Sequence, residues 1–467
     1  MKSKTTAALL ALTLVFGGLS TVPAGKHILP QTISASAESS DTFEHGDFTC
    51  QLTSDDTVVI CKYNGTTAEV TVPAAIDGRL VTEIGRNAFM NRSDIVSVTI
   101  PEGVKKISAS AFNCCTSLAD INIPAAVTSI SAHAFCLCES LTEITVPADC
   151  KYLGAHAFSD CSSLADITLP EEMLSIGTNA FEGTKWLENK RAEAPLVIVN
   201  DMLIDGSSCK GKVTVPPNVT FMADGAFIYN EELTEVTLPD TISDISCAAF
   251  LGCTNLKEIP VPESVTDIHL QAFAYCKSLE SVAVPDNVRY IDSSAFEGCT
   301  ALKSAVLPDS ISSIPSELFS DCTSLEKVNI PRSVTSVGEF AFFNCPALKS
   351  LTVPETVTSL GRNAAGMYVD EDTEDLLPVP DFTLLGYKGS AAELYAKENS
   401  LAFYHLKGDV NHDGEIDITD LTALAAHVKS IRSLTYTDTA DINEDSDINI
   451  TDLISLVAHV KGVRPLS

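Results

Sequence analysis

The apolar positions of this chain recur every 23 residues through most of its length. Each unit carries two alternating apolar residues before a proline, two spaced apolar residues after it, and then an Ala-Phe pair, which in one unit is Leu318-Phe319. The alternation predicts a short strand that ends at the proline, because proline cannot donate to a sheet ladder. The remaining apolar positions are expected to face the interior. In one unit the marked residues are Ile121, Ile123, Pro124, Val127, Ile130, Ala134 and Phe135.

The phenylalanine of each unit shows how regular the repeat is. Successive phenylalanines are 23 residues apart, except for one step of two periods. A fixed period of this length predicts a solenoid, in which each coil buries its apolar face against its neighbours. The marker residues are Phe89, Phe112, Phe135, Phe158, Phe181, Phe227, Phe250, Phe273, Phe296, Phe319 and Phe342.

The unit, written L..I.IP..V..I...AF..C, resembles the leucine-rich repeats of bacterial surface antigens of the BspA type over residues 64–365. The resemblance implies an α/β repeat fold, a leucine-rich-repeat solenoid with short strands in each 23-residue coil. A solenoid needs capped ends. Residues 42–72 predict an N-terminal hairpin and residues 381–406 a closing strand and helix, so the capped solenoid is assigned to residues 42–406. The double period holds an insertion around Trp186, which is expected to protrude as a contact surface.

Two twelve-residue segments near the C-terminus repeat one spacing of oxygen-bearing side chains. Side chains at positions 1, 3, 5, 9 and 12 and the carbonyl at position 7 suit one Ca²⁺ in each loop. Ser446 stands in the second loop where the first has the turn residue Gly414, so backbone strain is expected to weaken the second site. The ligand sets are Asp409, Asn411, Asp413, Glu415, Asp417 and Asp420, then Asp441, Asn443, Asp445, Asp447, Asn449 and Asp452.

Each loop is followed by one short predicted helix, at residues 420–429 and 452–461. The combination resembles the dockerin, a small all-α calcium-binding module that attaches secreted proteins of cellulose-degrading bacteria to cohesin domains of a scaffoldin. It is assigned to residues 408–467. The resemblance implies that cohesin contacts loop positions 10 and 11 and one face of the helix. These residues are Ile418, Thr419, Ala425 and Ala426, and in the second copy Ile450, Thr451, Val457 and Ala458.

The two copies share an Ile-Thr pair at positions 10 and 11, which predicts two binding orientations related by the pseudo-twofold axis of the module. Burial of the isoleucines between the two helices is the alternative interpretation.

The N-terminus and the charge indicate where the protein works. Lys2 and Lys4, an uncharged apolar run over residues 7–22 and the sequence Ala-Ser-Ala at 35–37 predict a secretion signal at residues 1–37. The apolar run is short for a membrane anchor, which needs about 20 residues. Beyond the signal no membrane span is predicted. With 62 acidic and 30 basic residues the net charge is −32, which argues against nucleic acid and anionic membranes as partners.

Most of the fifteen cysteines follow the repeat. Eight of them stand three residues after a core phenylalanine, which predicts buried, reduced thiols inside the coils. Cys50 and Cys61 differ, because a turn at Asp55-Asp56 would place them directly opposite each other as a candidate disulfide. The ladder cysteines are Cys115, Cys138, Cys161, Cys253, Cys276, Cys299, Cys322 and Cys345.

Two further features carry weaker signals. His133 and His156 occupy one repeat position in adjacent coils and should stack about 5 Å apart. They are interpreted as surface histidines, with metal binding or pH sensing as the alternative. The acidic run at residues 370–375 is interpreted as a solvated loop.

The sequence holds no His-Glu-x-x-His, Gly-x-Ser-x-Gly or phosphate-loop motif, so the chain is not expected to be an enzyme. The functional prediction is a secreted, non-catalytic binding protein, located in a cellulosome or at the cell surface. Its dockerin would bind cohesin in a calcium-dependent way, and its solenoid would bind an extracellular protein or a cell-wall ligand. The alternatives are a structural spacer, or a dockerin-bearing polysaccharide-degrading enzyme or protease inhibitor.

Overall fold

The chain from Thr42 onwards is a β-solenoid of about 15 turns followed by two short helices. A computed structural model describes residues 42–370, 372–412, 416–434, 437, 439–443 and 447–461. The fold class predicted from the repeat is confirmed, while the expected secretion signal at residues 1–37 lies outside the described residues. No described helix is both long enough and apolar enough to cross a membrane.

The strand predicted before the repeat prolines is present in every such coil but one, and these strands pair in parallel. Before Pro262 only an isolated parallel bridge between Glu235 and Glu258 is formed. The register advances by one period, so that Glu143 faces Asp166 and Ser97 faces Asp120. The strands of this row are Glu69–Thr71, Ser97–Thr99, Asp120–Ile121, Glu143–Thr145, Asp166–Thr168, Gly211–Thr214, Leu233–Thr237, Ser281–Ala283, Ser304–Val306, Lys327–Val328, Ser350–Thr352, Thr383–Gly386 and Ala402–His405.

A second row of strands was not predicted. The return segment of each coil also pairs in parallel, with Ser129 facing Tyr152. Most of these strands are two residues long and show no alternation, so sequence periodicity could not reveal them. They are Arg79–Ile84, Lys106–Ile107, Ser129–Ile130, Tyr152–Leu153, Ser175–Ile176, Met202–Asp205, Phe221–Met222, Asp244–Ile245, Asp267–Ile268, Tyr290–Ile291, Ser313–Ile314, Ser336–Val337 and Ser359–Leu360.

The Ala-Phe segment forms a third ladder between coils. The backbone N–H of Phe135 donates to the carbonyl of Ala157 at 2.8 Å. The residues two positions before and after the phenylalanine, His133 and Leu137, have left-handed backbone conformations with φ of 57° and 60°. Such a conformation costs about 1–2 kcal/mol in a non-glycine residue. Here both residues also donate their N–H groups to the next coil, which offsets that cost.

The core phenylalanines are fully or almost fully buried and stack along the solenoid. Neighbouring ring centroids lie 4.9 Å apart at Phe89–Phe112 and 6.2 Å apart at Phe158–Phe181. The stack ends at Phe181, which packs against Trp186 at 5.0 Å, and a second stack begins at Phe227. The buried apolar residues of the solenoid accordingly form two clusters that meet at the irregular coil.

The eight ladder cysteines are buried and free, as predicted. Each thiol donates to the carbonyl oxygen of the phenylalanine in the preceding coil, as Cys115 does to Phe89 at 3.0 Å and Cys276 to Phe250 at 3.2 Å. At the irregular coil, polar residues take the cysteine position. The hydroxyl of Thr184 donates to Phe181, and the amide of Asn230 donates to the carbonyls of Gly206 and Cys209.

The irregular coil contains helix α1, Lys185–Glu193, which Thr184 caps by accepting from the N–H of Leu187. Trp186 is only 5% exposed, so it does not itself form the contact surface expected of this insertion, whereas Lys185, Glu188 and Asn189 of the same helix are exposed. The burial of Trp186 follows from its packing against Phe181, where it ends the aromatic stack. A short strand, Val197–Val199, then pairs antiparallel with Met202–Asp205.

The predicted N-terminal hairpin is present, but the predicted disulfide is not. The strands Phe48–Leu52 and Val58–Tyr63 are antiparallel, and Thr42–His45 adds a third strand. Cys50 faces Ile60, because a bulge after Thr49 shifts the register by one residue. A one-residue shift sends a side chain to the other face of a sheet. Cys50 and Cys61 are therefore both free thiols, and the predicted pairing was wrong.

The C-terminal cap follows the prediction of a closing strand and helix. It comprises Thr383–Gly386, helix α2 at Ala391–Glu398 and Ala402–His405. Helices α3, Ile418–Val428, and α4, Ile450–Val460, follow it. The remaining strands are Ala75–Ile76, which pairs with Arg79–Ile84, and the antiparallel pair Met367–Val369 and Leu376–Pro378.

Candidate functional site

The two C-terminal loops lead into helices α3 and α4 through identical capping arrangements. Asp417 caps α3 and exchanges hydrogen bonds with the turn that holds Asp420. Asn449 and Asp452 do the same at α4. These capping boxes satisfy backbone donors that a helix start leaves unpaired. The loop residues at positions 9 and 12 are therefore held by their helices.

The last residue of each loop also organises the beginning of that loop. One oxygen of Asp420 accepts from the N–H groups of Val410 and Asn411 at 2.7 and 3.0 Å. Asp452 accepts in the same way from Ile442 and Asn443, at 2.8 and 3.2 Å. These hydrogen bonds bring the end of each loop next to its beginning, so the first and last predicted ligands lie close together.

The described loop residues suit a hard cation. Asp409, Asp420 and Asp452 are fully buried, although carboxylates are rarely buried without a partner. Burial raises the pKa of Asp420, and the neighbouring charge of Asp409 raises it further. Two close, buried carboxylates repel one another, and a cation between them would remove that repulsion. Carboxylate and amide oxygens are also the ligands that Ca²⁺ prefers.

Part of each predicted ligand set lies outside the described residues. These are Asp413 and Glu415 of the first loop, with Gly414, and Asp445 of the second, with Ser446. Among the residues that the structure does describe, no group of three or more His, Cys, Asp or Glu side chains is arranged to hold a metal.

The positions assigned to cohesin contact lie at the surface. Ile418 and Ile450 are 60% and 54% exposed, and neither belongs to the apolar cluster between the helices. That cluster is built from Val410, Leu424, Ala440, Ile442 and Leu456, so packing between the helices does not explain the two isoleucines.

The threonines beside these isoleucines are exposed as well, and the helix positions are half-buried. Thr419 and Thr451 each accept a hydrogen bond from the asparagine at loop position 3, at 2.8 and 2.9 Å. The described residues Ala425, Ala426, Val457 and Ala458 have intermediate exposure. Ile454 is 62% exposed and lies one turn after Ile450, so it extends the same apolar face, although it belongs to no motif shared by the two copies.

Contacts between the first loop and the solenoid cap were also missed. The hydroxyl of Tyr387 donates to Asp409 at 2.5 Å, and the ring of His412 stacks on Tyr387 at 4.2 Å. His412 also pairs with Glu355 at 3.0 Å. No sequence signal pointed to these residues, because the partners come from different coils and carry no motif.

On the solenoid, the histidine pair is confirmed. The rings of His133 and His156 stack with centroids 4.9 Å apart and planes that are nearly parallel. Burial lowers the pKa of both. The acidic run begins with Asp370, whose carboxylate accepts from Thr373 and the N–H of Asp372 within a turn.

Exposed aromatic residues of the solenoid lie beside the third ladder. Tyr229 and Tyr275 are 53% and 37% exposed and stand two residues after a core phenylalanine. A side-chain carbon at the next coil's Gly252 or Gly298 would collide with their rings, so each tyrosine leans across the coil that follows it.

Two families of known proteins match separate parts of the chain. The family described as the BspA type leucine-rich repeat region matches residues 82–209, 195–303 and 244–366. The type I dockerin domain matches residues 407–461. A comparison with curated proteins gave no match.

Solved structures of bacterial leucine-rich-repeat proteins are similar to the chain. A leucine-rich cell surface protein of Faecalibacterium prausnitzii A2-165 is 25% identical, with 77% of this chain and 98% of that chain covered and a TM-score of 0.36. A leucine-rich-repeat protein of Bacteroides ovatus is 22% identical, with 78% and 100% covered and a TM-score of 0.37. The leucine-rich-repeat protein of T. pallidum is 27% identical, with 51% and 91% covered and a TM-score of 0.28.

The repeat match extends over more than half of the chain, and the second match coincides with the paired loops and helices. Both families are generally non-enzymatic. The chain therefore belongs to the BspA-type leucine-rich-repeat proteins and carries a type I dockerin, a domain that can bind cohesin, at its C-terminal end.

Proposed function

We propose that this chain is a secreted, non-catalytic binding subunit whose dockerin attaches it to a cohesin domain of a scaffoldin. The observation that carries this proposal is the exposure of Ile418 and Ile450 at the starts of two matching helices. Large apolar side chains exposed at equivalent points of a repeated unit indicate a surface that a partner covers. The assigned boundaries are residues 42–406 for the solenoid and 408–467 for the dockerin.

Calcium binding is part of the proposal. Each loop would hold one ion through its side-chain oxygens at positions 1, 3, 5, 9 and 12 and one carbonyl. In the described part, Asp409 and Asp420 would contribute to the first site and Asp441 and Asp452 to the second. The ion would neutralise these acids and fix the start of each helix, which orients the exposed isoleucines. Cohesin binding should therefore depend on calcium.

The first experiment measures binding of the full chain to a panel of type I cohesin domains by calorimetry. We expect binding to at least one cohesin in excess calcium and none after chelation. Equal binding in chelator would contradict the calcium mechanism, and no binding to any cohesin would contradict the docking proposal.

Substitutions at the two isoleucines test the docking face. Because the two copies share the Ile-Thr pair, Ile418→Asp or Ile450→Asp alone should leave one orientation intact and reduce affinity only slightly. The double variant should lose at least about 2 kcal/mol, roughly 30-fold, as expected for central interface residues. Ile431→Asp is the matched control, since Ile431 is 75% exposed but lies outside the docking positions. A double variant that binds like the control would place the docking face elsewhere.

The solenoid is proposed to bind an extracellular protein or a cell-wall ligand, with Tyr229 and Tyr275 as the exposed aromatic candidates. The double isoleucine variant is a suitable bait for cell-wall material, because its dockerin no longer competes for partners. Capture that falls when both tyrosines are replaced by alanine would support ligand binding there.

A structural spacer is the second candidate. It is favoured by the burial of Trp186, which leaves no exposed aromatic side chain in helix α1. Failure of the bait to retain any cell-wall polymer or secreted protein would support the spacer and contradict the binding role.

A further inference from the structure

The C-terminal cap of the solenoid contacts the first predicted calcium ligand directly. The hydroxyl of Tyr387 donates to one carboxylate oxygen of Asp409 at 2.5 Å. Tyr387 is 3% exposed and Asp409 is fully buried, so this hydrogen bond is shielded from water. A charge-assisted hydrogen bond in such surroundings is short and strong. Tyr387 belongs to the cap and Asp409 to the dockerin, so the bond joins the two parts of the chain.

Further contacts hold the same loop against the solenoid. The ring of His412 stacks on Tyr387 with centroids 4.2 Å apart, and its Nδ1 pairs with Glu355 at 3.0 Å. Arg332, from another coil, donates to the carbonyl of Asn411 at 3.5 Å. Loop positions 1, 3 and 4 therefore all touch the solenoid, and two of them are predicted ligands.

The position of the tyrosine has a consequence for the metal site. A carboxylate at loop position 1 can use one oxygen for the ion while its other oxygen accepts a hydrogen bond. A partner that holds the second oxygen fixes the direction of the first. Loss of such an orienting partner typically weakens metal binding 10- to 100-fold. Asp441, the equivalent residue of the second loop, is only half-buried, whereas Asp409 is fully buried.

We propose that Tyr387 is a positioning residue for the first calcium site and that calcium binding there fastens the dockerin to the solenoid cap. This inference rests on the proposed calcium binding. Linkage makes the effect reciprocal, because an ion that favours the docked loop must stabilise docking by the same free energy that docking adds to binding of the ion. The cohesin-docking face is then held in a set orientation relative to the solenoid.

The test is a calorimetric titration of calcium into the full chain and into Tyr387→Phe. The substitution removes only the hydroxyl and keeps the ring on which His412 stacks. We expect one of two sites to weaken about 10-fold, which corresponds to about 1.4 kcal/mol, while the other is unchanged.

Tyr395→Phe is the matched control. Tyr395 lies in α2 of the same cap, is 5% exposed and bonds through its hydroxyl to the backbone of Ala365. The Tyr395→Phe variant should bind calcium at both sites with the affinity of the wild type. Equal weakening in the two variants would overturn the inference, because it would show a general loosening of the cap.

A second readout follows docking itself. Calcium should slow hydrogen exchange over residues 383–412 in the wild type, and this protection should shrink in Tyr387→Phe. Identical titrations and identical protection in the two proteins would overturn this inference and leave the proposed calcium binding standing. A wild-type chain that binds no calcium would overturn both.

Discussion

The break in the aromatic stack predicts that the two ends of the solenoid unfold separately. Phe273 is fully buried and stacks on Phe250 and Phe296 at 5.4 and 5.3 Å. Replacing a buried phenylalanine by alanine costs about 3–5 kcal/mol. Two stacked neighbours add about 0.5–1.5 kcal/mol for each pair, so the cost for Phe273→Ala should lie at the upper end of that range.

In a solenoid the cost of a substitution spreads only through neighbouring coils. Phe273 belongs to the C-terminal cluster of buried residues, while Trp186, the sole tryptophan, belongs to the N-terminal cluster. Phe273→Ala should therefore lower the urea midpoint for part of the circular dichroism signal and leave the tryptophan fluorescence midpoint unchanged.

Phe135→Ala is the matched variant on the other side of the break. Its ring stacks on both neighbours at 5.2 Å and lies in the same cluster as Trp186, so it should shift the fluorescence midpoint. If Phe273→Ala moved the fluorescence and dichroism midpoints together, the two clusters would unfold as one cooperative unit and the reasoning would be refuted.

Two further predictions concern titratable groups in the coils. Burial raises the pKa of Cys253 and Cys299 to about 12. The ladder thiols should therefore resist a thiol reagent at pH 8 until the chain is denatured. Rapid reaction of all fifteen cysteines in the folded protein would contradict this prediction. Burial also lowers the pKa of the paired residues His133 and His156. The unfolded chain therefore binds more protons at these two histidines than the folded chain does. The contribution of the neutral histidines to stability is complete above pH 6.5 and is lost as the pH falls through their pKa in the folded state. Replacing both by glutamine should flatten the fall of Tm between pH 7 and pH 5, and an unchanged slope would count against it.

The repeat made the solenoid predictable because each coil faces another coil of the same pattern. The inward positions Val127, Ile130 and Phe135 and the thiol of Cys138 are all buried as expected. Each is determined by a local pattern that its neighbours repeat. The two helices of the dockerin were predictable for the same reason, since two copies carried one motif.

Features that depend on one unrepeated contact were not predictable. A single bulge shifts the strand register, so that Cys50 faces Ile60 instead of Cys61. Such a bulge leaves no mark in the alternation of apolar and polar residues along the sequence. The hydrogen bond from Tyr387 to Asp409 joins the solenoid cap to the dockerin, and neither module carries a motif that requires it. Trp186 lies in the segment that breaks the period, so the repeat did not reveal that its ring closes the end of an aromatic stack.

The direction of the thiol hydrogen bonds makes the coils interchangeable parts. In the coils from Phe227 to Cys345, each phenylalanine carbonyl accepts a hydrogen bond from the cysteine thiol of the coil that follows it. A gain or loss of one whole 23-residue unit would therefore recreate the same junction on both sides. The solenoid can change its length by duplication without inventing a new interface, whereas the borders at Thr184 and Asn230 allow no such exchange.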